Sequence, residues 1–174
     1  MKKLILILAT LFSFTGAVSA FTVAQSWQIT NKYSIRFSSN EAGGIFKTFK
    51  GSIAFDEQNL ASSSFSISID VASINTGNAM MNKHAKSADL FDAAKFPEIK
   101  FTSKKIVKSG SGYVVTGDLE IHGIKKEISF PFSFQKSTFS GAFSVNRSDF
   151  KIGKPGGEVS EAIKIEVSVP VTKK

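Results

Sequence analysis

Between Trp27 and Val171 large apolar side chains return at every second position, with few interruptions. Successive side chains of an extended chain point to opposite faces, so each such run carries one apolar and one polar face. SFSISIDV sets Phe65, Ile67, Ile69 and Val71 against Ser66, Ser68 and Asp70. YVVTGDLEI aligns Tyr113, Val115, Gly117, Leu119 and Ile121, and EISFPFSFQ aligns Ile128, Phe130, Phe132 and Phe134. FSGAFSV adds Phe139, Gly141, Phe143 and Val145, and IKIEVSVPV closes with Ile163, Ile165, Val167, Val169 and Val171. Near the start, Trp27 and Ile29 are followed after a short break by Ile35 and Phe37. GIFKTFKGSIAFD reads as one strand with Ile45, Phe49, Gly51, Ile53 and Phe55 on one face, and EIKF turns Ile99 and Phe101 inward. The pattern predicts about eight or nine strands joined by short polar turns such as DEQN and KSGSG.

One segment breaks the alternation: NAMMNKHAKSADLFDAAKFPE, from Asn78 to Glu98. Met80, Met81, His84, Ala88 and Phe91 recur near helical spacing, and Pro97 stops a helix before the next strand. A short helical insert is expected here. A long meander with one apolar face hides its edges best by closing on itself, which favours a barrel over a sandwich. Alternation alone leaves open which face is wet, since an outer-membrane barrel is apolar outside and a ligand-holding soluble barrel apolar inside. One Trp and two Tyr make no aromatic girdles, SVPVTKK ends without an aromatic, and the Met-rich insert has no place in a spanning meander. The expected fold class is therefore all-β: a soluble, eight-stranded or nearly eight-stranded antiparallel barrel with a short helical insert.

The opening MKKLILILATLFSFTGAVSA pairs Lys2 and Lys3 with an apolar run from Leu4 to Phe14 and small residues at Val18-Ser19-Ala20. That layout predicts a signal peptide over 1–20, a single domain over 21–174, and a periplasmic or secreted location. The chain has no cysteine, so neither a disulfide nor a lipidated cysteine is available. Its formal charge is +8, or +6 once Lys2 and Lys3 are removed. The lysines are scattered and form no stripe interleaved with aromatics. No nucleic-acid partner is expected; a transient attraction to anionic membrane surfaces is.

Catalytic motifs are sparse. His84 and His122 lie on different elements without a zinc-binding spacing, no GxSxG elbow occurs, and GKPGGE lacks the Lys-Ser/Thr of a phosphate loop. Neither a metal nor a cofactor nor a catalytic set is expected. The apolar face is unusual in content, with 17 Phe in all and 15 beyond Phe12 and Phe14. Rigid rings on an eight-stranded barrel can wall a space for one small ligand, with adaptable Met80 and Met81 at its mouth. The same residues can equally fill a dry core. Polar clusters at Asp89 and Asp92, at His122, and at Arg147 and Asp149 either tie strand ends to the insert or offer a ligand head group a contact.

Six pieces in order resemble the YceI-like, polyisoprenoid-binding family. They are Trp-x-Ile (Trp27, Ile29), F-x-G-x-I-x-F-D (Phe49 to Asp56), ID-x-ASI-x-T (Ile69 to Thr76), the insert from His84 to Phe101, G-x-L-x-I-HG-x-x-K (Gly117 to Lys126) and R-x-DF (Arg147 to Phe150). The resemblance implies a lipocalin-like barrel that carries an isoprenoid or similar fatty lipid in its interior without a catalytic step. Such proteins often have Arg-Asp where this chain has Met81 and Asn82, a bulkier apolar residue at Ala85, Thr at Lys125 and Gly at Lys151. The expected lipid-lining residues are Phe37, Phe49, Phe55, Phe101, Val115, Leu119, Phe130, Phe132, Phe143 and Val145, with Met80, Met81 and Phe91 from the insert. His84, His122 and Arg147 are the candidate mouth or head-group contacts, and a homodimer is a further expectation. Two alternatives stay open: an enzyme using His122 and Arg147 on a hydrophobic substrate, and a stress or interaction protein with a filled core.

Overall fold

The computed structural model describes residues 23–157 and 159–174, and the expected signal peptide lies outside them. The strands are β1 (Ser26–Ile29), β2 (Ser34–Ser38), β3 (Gly43–Phe46), β4 (Phe49–Ala54), β5 (Ser64–Asp70) and β6 (Ile74–Asn75). After the helix α1 (Ala79–Ala85) come β7 (Glu98–Ser109), β8 (Gly112–Ile121), β9 (Ile124–Gln135), β10 (Thr138–Asn146) and β11 (Ala162–Lys173). They occupy eight positions around a closed antiparallel ring. β1 pairs with both β4 and β11, which closes the circuit through β5, β7, β8, β9 and β10. β2 extends the line of β1 along β11, whose Lys164 to Ser168 pair with β2 and whose Val171 to Lys173 pair with β1. β3 and β6 extend β4 and β5 in the same way. Three of the eight staves are thus bent strands, each broken in two.

The breaks set which residues face inward. Lys47 and Thr48 step out of the ladder: both their N–H groups donate to Ser73, one to its carbonyl and one to its hydroxyl. The extra residues shift the phase, so Phe46 is buried and lines the interior where the single-strand reading put Ile45. A second shift in β7, between Ser103 and Lys105, brings Ile106 into the core after Phe101. Gly117 faces that irregularity, and a Cβ there would fall 2.4 Å from the Thr102 carbonyl oxygen and 2.7 Å from the Phe101 ring. Only glycine fits beneath that ring.

One end of the barrel is sealed by aromatic rings. Phe55, 1% exposed, sits with its ring 5.1–6.2 Å from those of Phe65, Tyr113, Phe132, Phe134 and Phe139. Trp27 packs edge-on against Phe134 and donates its indole N–H to the Phe55 carbonyl at 2.9 Å. Tyr113 donates to Glu57 at 2.6 Å, and burial first, then this bond, pushes its phenol up to about 12.

The other end is splayed, because β6 pairs only with β3, while β7 begins at Glu98, opposite Asp70 at the end of β5, and does not run alongside β6. The insert occupies that gap. Asn78 caps α1, its side-chain oxygen accepting from the N–H groups of Met80 (2.9 Å) and Met81 (3.1 Å). Asn82 anchors the helix to the chain after β6 by accepting from the Thr76 N–H and hydroxyl, at 2.7 and 2.8 Å. The helix is shorter than the sequence spacing suggested, and residues 86–97 are successive turns.

The outer wall is charged. Lys104 bridges Asp118 and Glu127, Glu98 lies between Lys50 and Lys100, and Lys164 meets Glu166. With apolar residues turned in and ion pairs turned out, the arrangement is the inverse of a membrane-spanning barrel. No described helix is long and apolar enough to cross a membrane.

Candidate functional site

The period-two apolar face of the strands does not collapse into a solid core. Between the aromatic floor and the splayed end it borders a partly open cavity of about 160 Å³. Eight phenylalanines and eight isoleucines are among its lining residues, and Arg36 and Ser140 are the polar ones. Phe130 and Phe143 stack at 4.2 Å between ring centres, and Phe101 tilts against Phe130 at 5.3 Å. Rings braced against one another along the wall cannot fold across the space they border.

Above it lies a second, larger cavity of about 590 Å³, walled by the insert, the end of β2 and the segment after β10. Phe46, Ile99, Ile121, Val145 and Ile165 border both spaces and form the neck between them. The two cavities adjoin at these side chains and lie in series between a rim at α1 and the floor, a path with mainly apolar walls. An empty apolar void enclosed in a core destabilises a fold by about 24 cal/mol per Å³, so unfilled space of this kind carries a cost in stability. The apolar face thus borders open space as well as packed core.

Most of the expected lining residues lie along this path. Phe49, Phe101, Leu119, Phe130, Phe132, Phe143 and Val145 line the inner cavity. Phe37, Met80, Met81, Phe91, His84 and Arg147 border the outer one. Phe55 and Val115 do not reach either: Phe55 is the centre of the floor, and Val115, fully buried, packs within the core cluster. His122 also stands apart. It takes a left-handed conformation (φ 53°) with Gly123 (φ 72°) in the two-residue turn joining β8 to β9. Its Nδ1–H donates to the Phe150 carbonyl at 3.2 Å and its ring meets Phe96 edge-on at 4.5 Å. His122 fastens a hairpin to the insert and presents no group to the cavity.

Arg147 is buried, and all its donors are used inside the protein. Nε donates to the carbonyls of Val159 and Ser160, one terminal nitrogen to Ile152 and Lys154, and the other to Val159 and the Glu161 carboxylate at 2.8 Å. It holds the loop 152–161 in place as one wall of the outer cavity. The side chains that loop contributes, Ile152 and Val159, and Phe150 before it, were invisible to a period-two reading because the segment is irregular. By contrast Ile67, Ile69, Ile121 and Ile165 carried that signal openly.

Residues 22–171 match the YceI-like domain. The chain is 35% identical over 136 residues to UPF0312 protein plu2095 of Photorhabdus laumondii, covering 72% of this chain and 71% of that one. The crystal structure of Burkholderia cenocepacia BcnA superposes with a TM-score of 0.79 at 28% identity, over 84% of this chain and all of that one. A polyisoprenoid binding domain from Saccharophagus degradans, implicated in plant cell wall breakdown, shares the fold. Its TM-score is 0.64 at 15% identity, over 88% of this chain and all of that one.

Proposed function

Because this chain belongs to the YceI-like family, we propose that it is a periplasmic carrier that holds the chain of an isoprenoid or similar lipid inside its barrel. The observation that carries the reading is the pair of adjoining, mainly apolar cavities in series from rim to floor. A long hydrocarbon gains about 0.8 kcal/mol for each methylene removed from water, and it offsets the cost of the void it fills. The structural neighbour described as polyisoprenoid binding is consistent with this, at the level of fold. A binding role is favoured over an enzymatic one because the two side chains nominated for chemistry are committed elsewhere. Arg147 spends its donors on its own loop, and His122 turns to Phe150.

Val145, half-buried at the neck, offers a clean test. Val145→Trp places an indole across the passage, at an overpacking cost of about 1–3 kcal/mol. Titrated with a fluorescent prenol, wild type should saturate at one lipid per chain, while the variant, still folded by circular dichroism, should lose uptake. Equal uptake by both would remove the cavity from the account.

A further inference from the structure

A lipid that belongs in a bilayer cannot cross water unaided, so a carrier must meet the membrane with its opening. This inference rests on the carrier reading. Among the described residues the largest exposed apolar side chains include Met80, 81% exposed, and Met81, 43% exposed. Both stand on α1 and both border the outer cavity. An apolar side chain exposed at the rim of an apolar cavity extends that cavity's surface outward. On the helix, Lys83 and His84 lie three and four residues beyond Met80, which sets all three on one exposed patch. Across the opening, the loop after β10 carries exposed Lys151 and Lys154. None of Lys83, Lys151 and Lys154 has a described carboxylate within ion-pair distance, unlike Lys50, Lys100 and Lys104 on the barrel wall. The rim is thus an apolar tip flanked by lysines that have no ion-pair partner among the described residues.

We infer that this rim is a docking surface for an anionic lipid bilayer, with Met80 and Met81 entering the headgroup layer and Lys83 and Lys151 pairing with lipid phosphates. Docking in that orientation sets the outer cavity against the acyl region, so a lipid chain passes from bilayer to barrel without crossing water. Each lysine near an anionic surface strengthens binding several-fold, and the attraction falls within a Debye length, so the contact is salt-sensitive and reversible.

Orientation separates this from a general attraction of a basic protein to negative vesicles. Lys108 and Lys173 are exposed at the sealed end, beside the β7–β8 turn and the end of β11. The mature chain is mixed with phosphatidylglycerol vesicles containing a prenol, and two things are read: co-sedimentation, and prenol transferred to the protein by native mass spectrometry. The rim variant K83E/K151E should bind vesicles more than about tenfold more weakly than wild type and extract correspondingly less prenol. The sealed-end variant K108E/K173E, of identical net charge, should match wild type within about twofold. Met80→Asp should also lose co-sedimentation. Prenol offered in detergent should load wild type and K83E/K151E equally, because neither lysine borders the cavity. Equal weakening by the two charge reversals, or undiminished binding by K83E/K151E, overturns the docking surface while leaving the carrier reading in place. Failure of wild type to take prenol even from detergent overturns both.

Discussion

Lys151 stands in the left-handed region, at φ 54°, directly after the helical turn Arg147–Phe150. A side chain with a Cβ pays roughly 1–2 kcal/mol there, whereas glycine does not, although glycine gives back part of the gain through its freer unfolded chain. Lys151→Gly should therefore raise stability by about 0.5–1 kcal/mol, read from chemical denaturation. The resemblance to a family that commonly has glycine after Asp-Phe marked this position, but only the backbone angle gives the reason. Glu41 supplies a second test. Its carboxylate accepts from the Ser160 N–H at 2.9 Å and hydroxyl at 2.8 Å, which holds it below its ordinary value of 4.5 and ties the β2–β3 turn to the outer-cavity loop. A depressed carboxylate stabilises the fold fully above the ordinary value, and that contribution disappears as pH falls through the lowered one. The stability gap between wild type and Glu41→Gln should hold constant near neutrality and close below about pH 4.5. A gap independent of pH would show that the charge on Glu41 contributes nothing. At this scale the sequence identified Arg147 as special without its purpose. Apart from the Glu161 carboxylate, its partners are backbone carbonyls of Ile152, Lys154, Val159 and Ser160, and no side-chain pattern announces a carbonyl.

Among elements, the legible ones were those whose phase runs unbroken. β8 alternates buried and half-buried for its whole length, as its residues spelled out. β3 and β4 were read as one strand because Lys47 and Thr48 are compatible with either a strand or a step, and Ser73 decides between them from 25 residues away. The insert shows the same limit. Asn78 is a strong cap, yet the helix stops at Ala85 because the following residues bond as turns, among them Ser87 N–H to the His84 carbonyl and Leu90 N–H to that of Ser87. At the floor, Phe55, expected to line the cavity, instead lies among other rings. Phe55, Phe132 and Phe139 share one periodic face with the wall residues, and periodicity cannot say at what height a ring stops meeting space and starts meeting other rings. Phe55→Ala should cost about 3–5 kcal/mol in denaturation and open the floor, so that bound lipids extend to longer chains. A small cost with an unchanged lipid length would place the floor elsewhere.

For the whole molecule, closure was readable because eight amphipathic strands leave few other ways to bury one face. The cavity was not. A given set of phenylalanines and isoleucines satisfies alternation whether they meet across the axis or stand apart, and the difference lies in stave geometry: three bent strands and one unpaired end. An apolar void that costs stability is kept where it is used, and the use proposed here is to be filled by a lipid chain. Native mass spectrometry of the protein, before and after loading with prenols of graded length, reads that occupancy directly. A single lipid per chain, selected by length and lost in Val145→Trp, is the expected result. A protein that stays lipid-free at every length would contradict it.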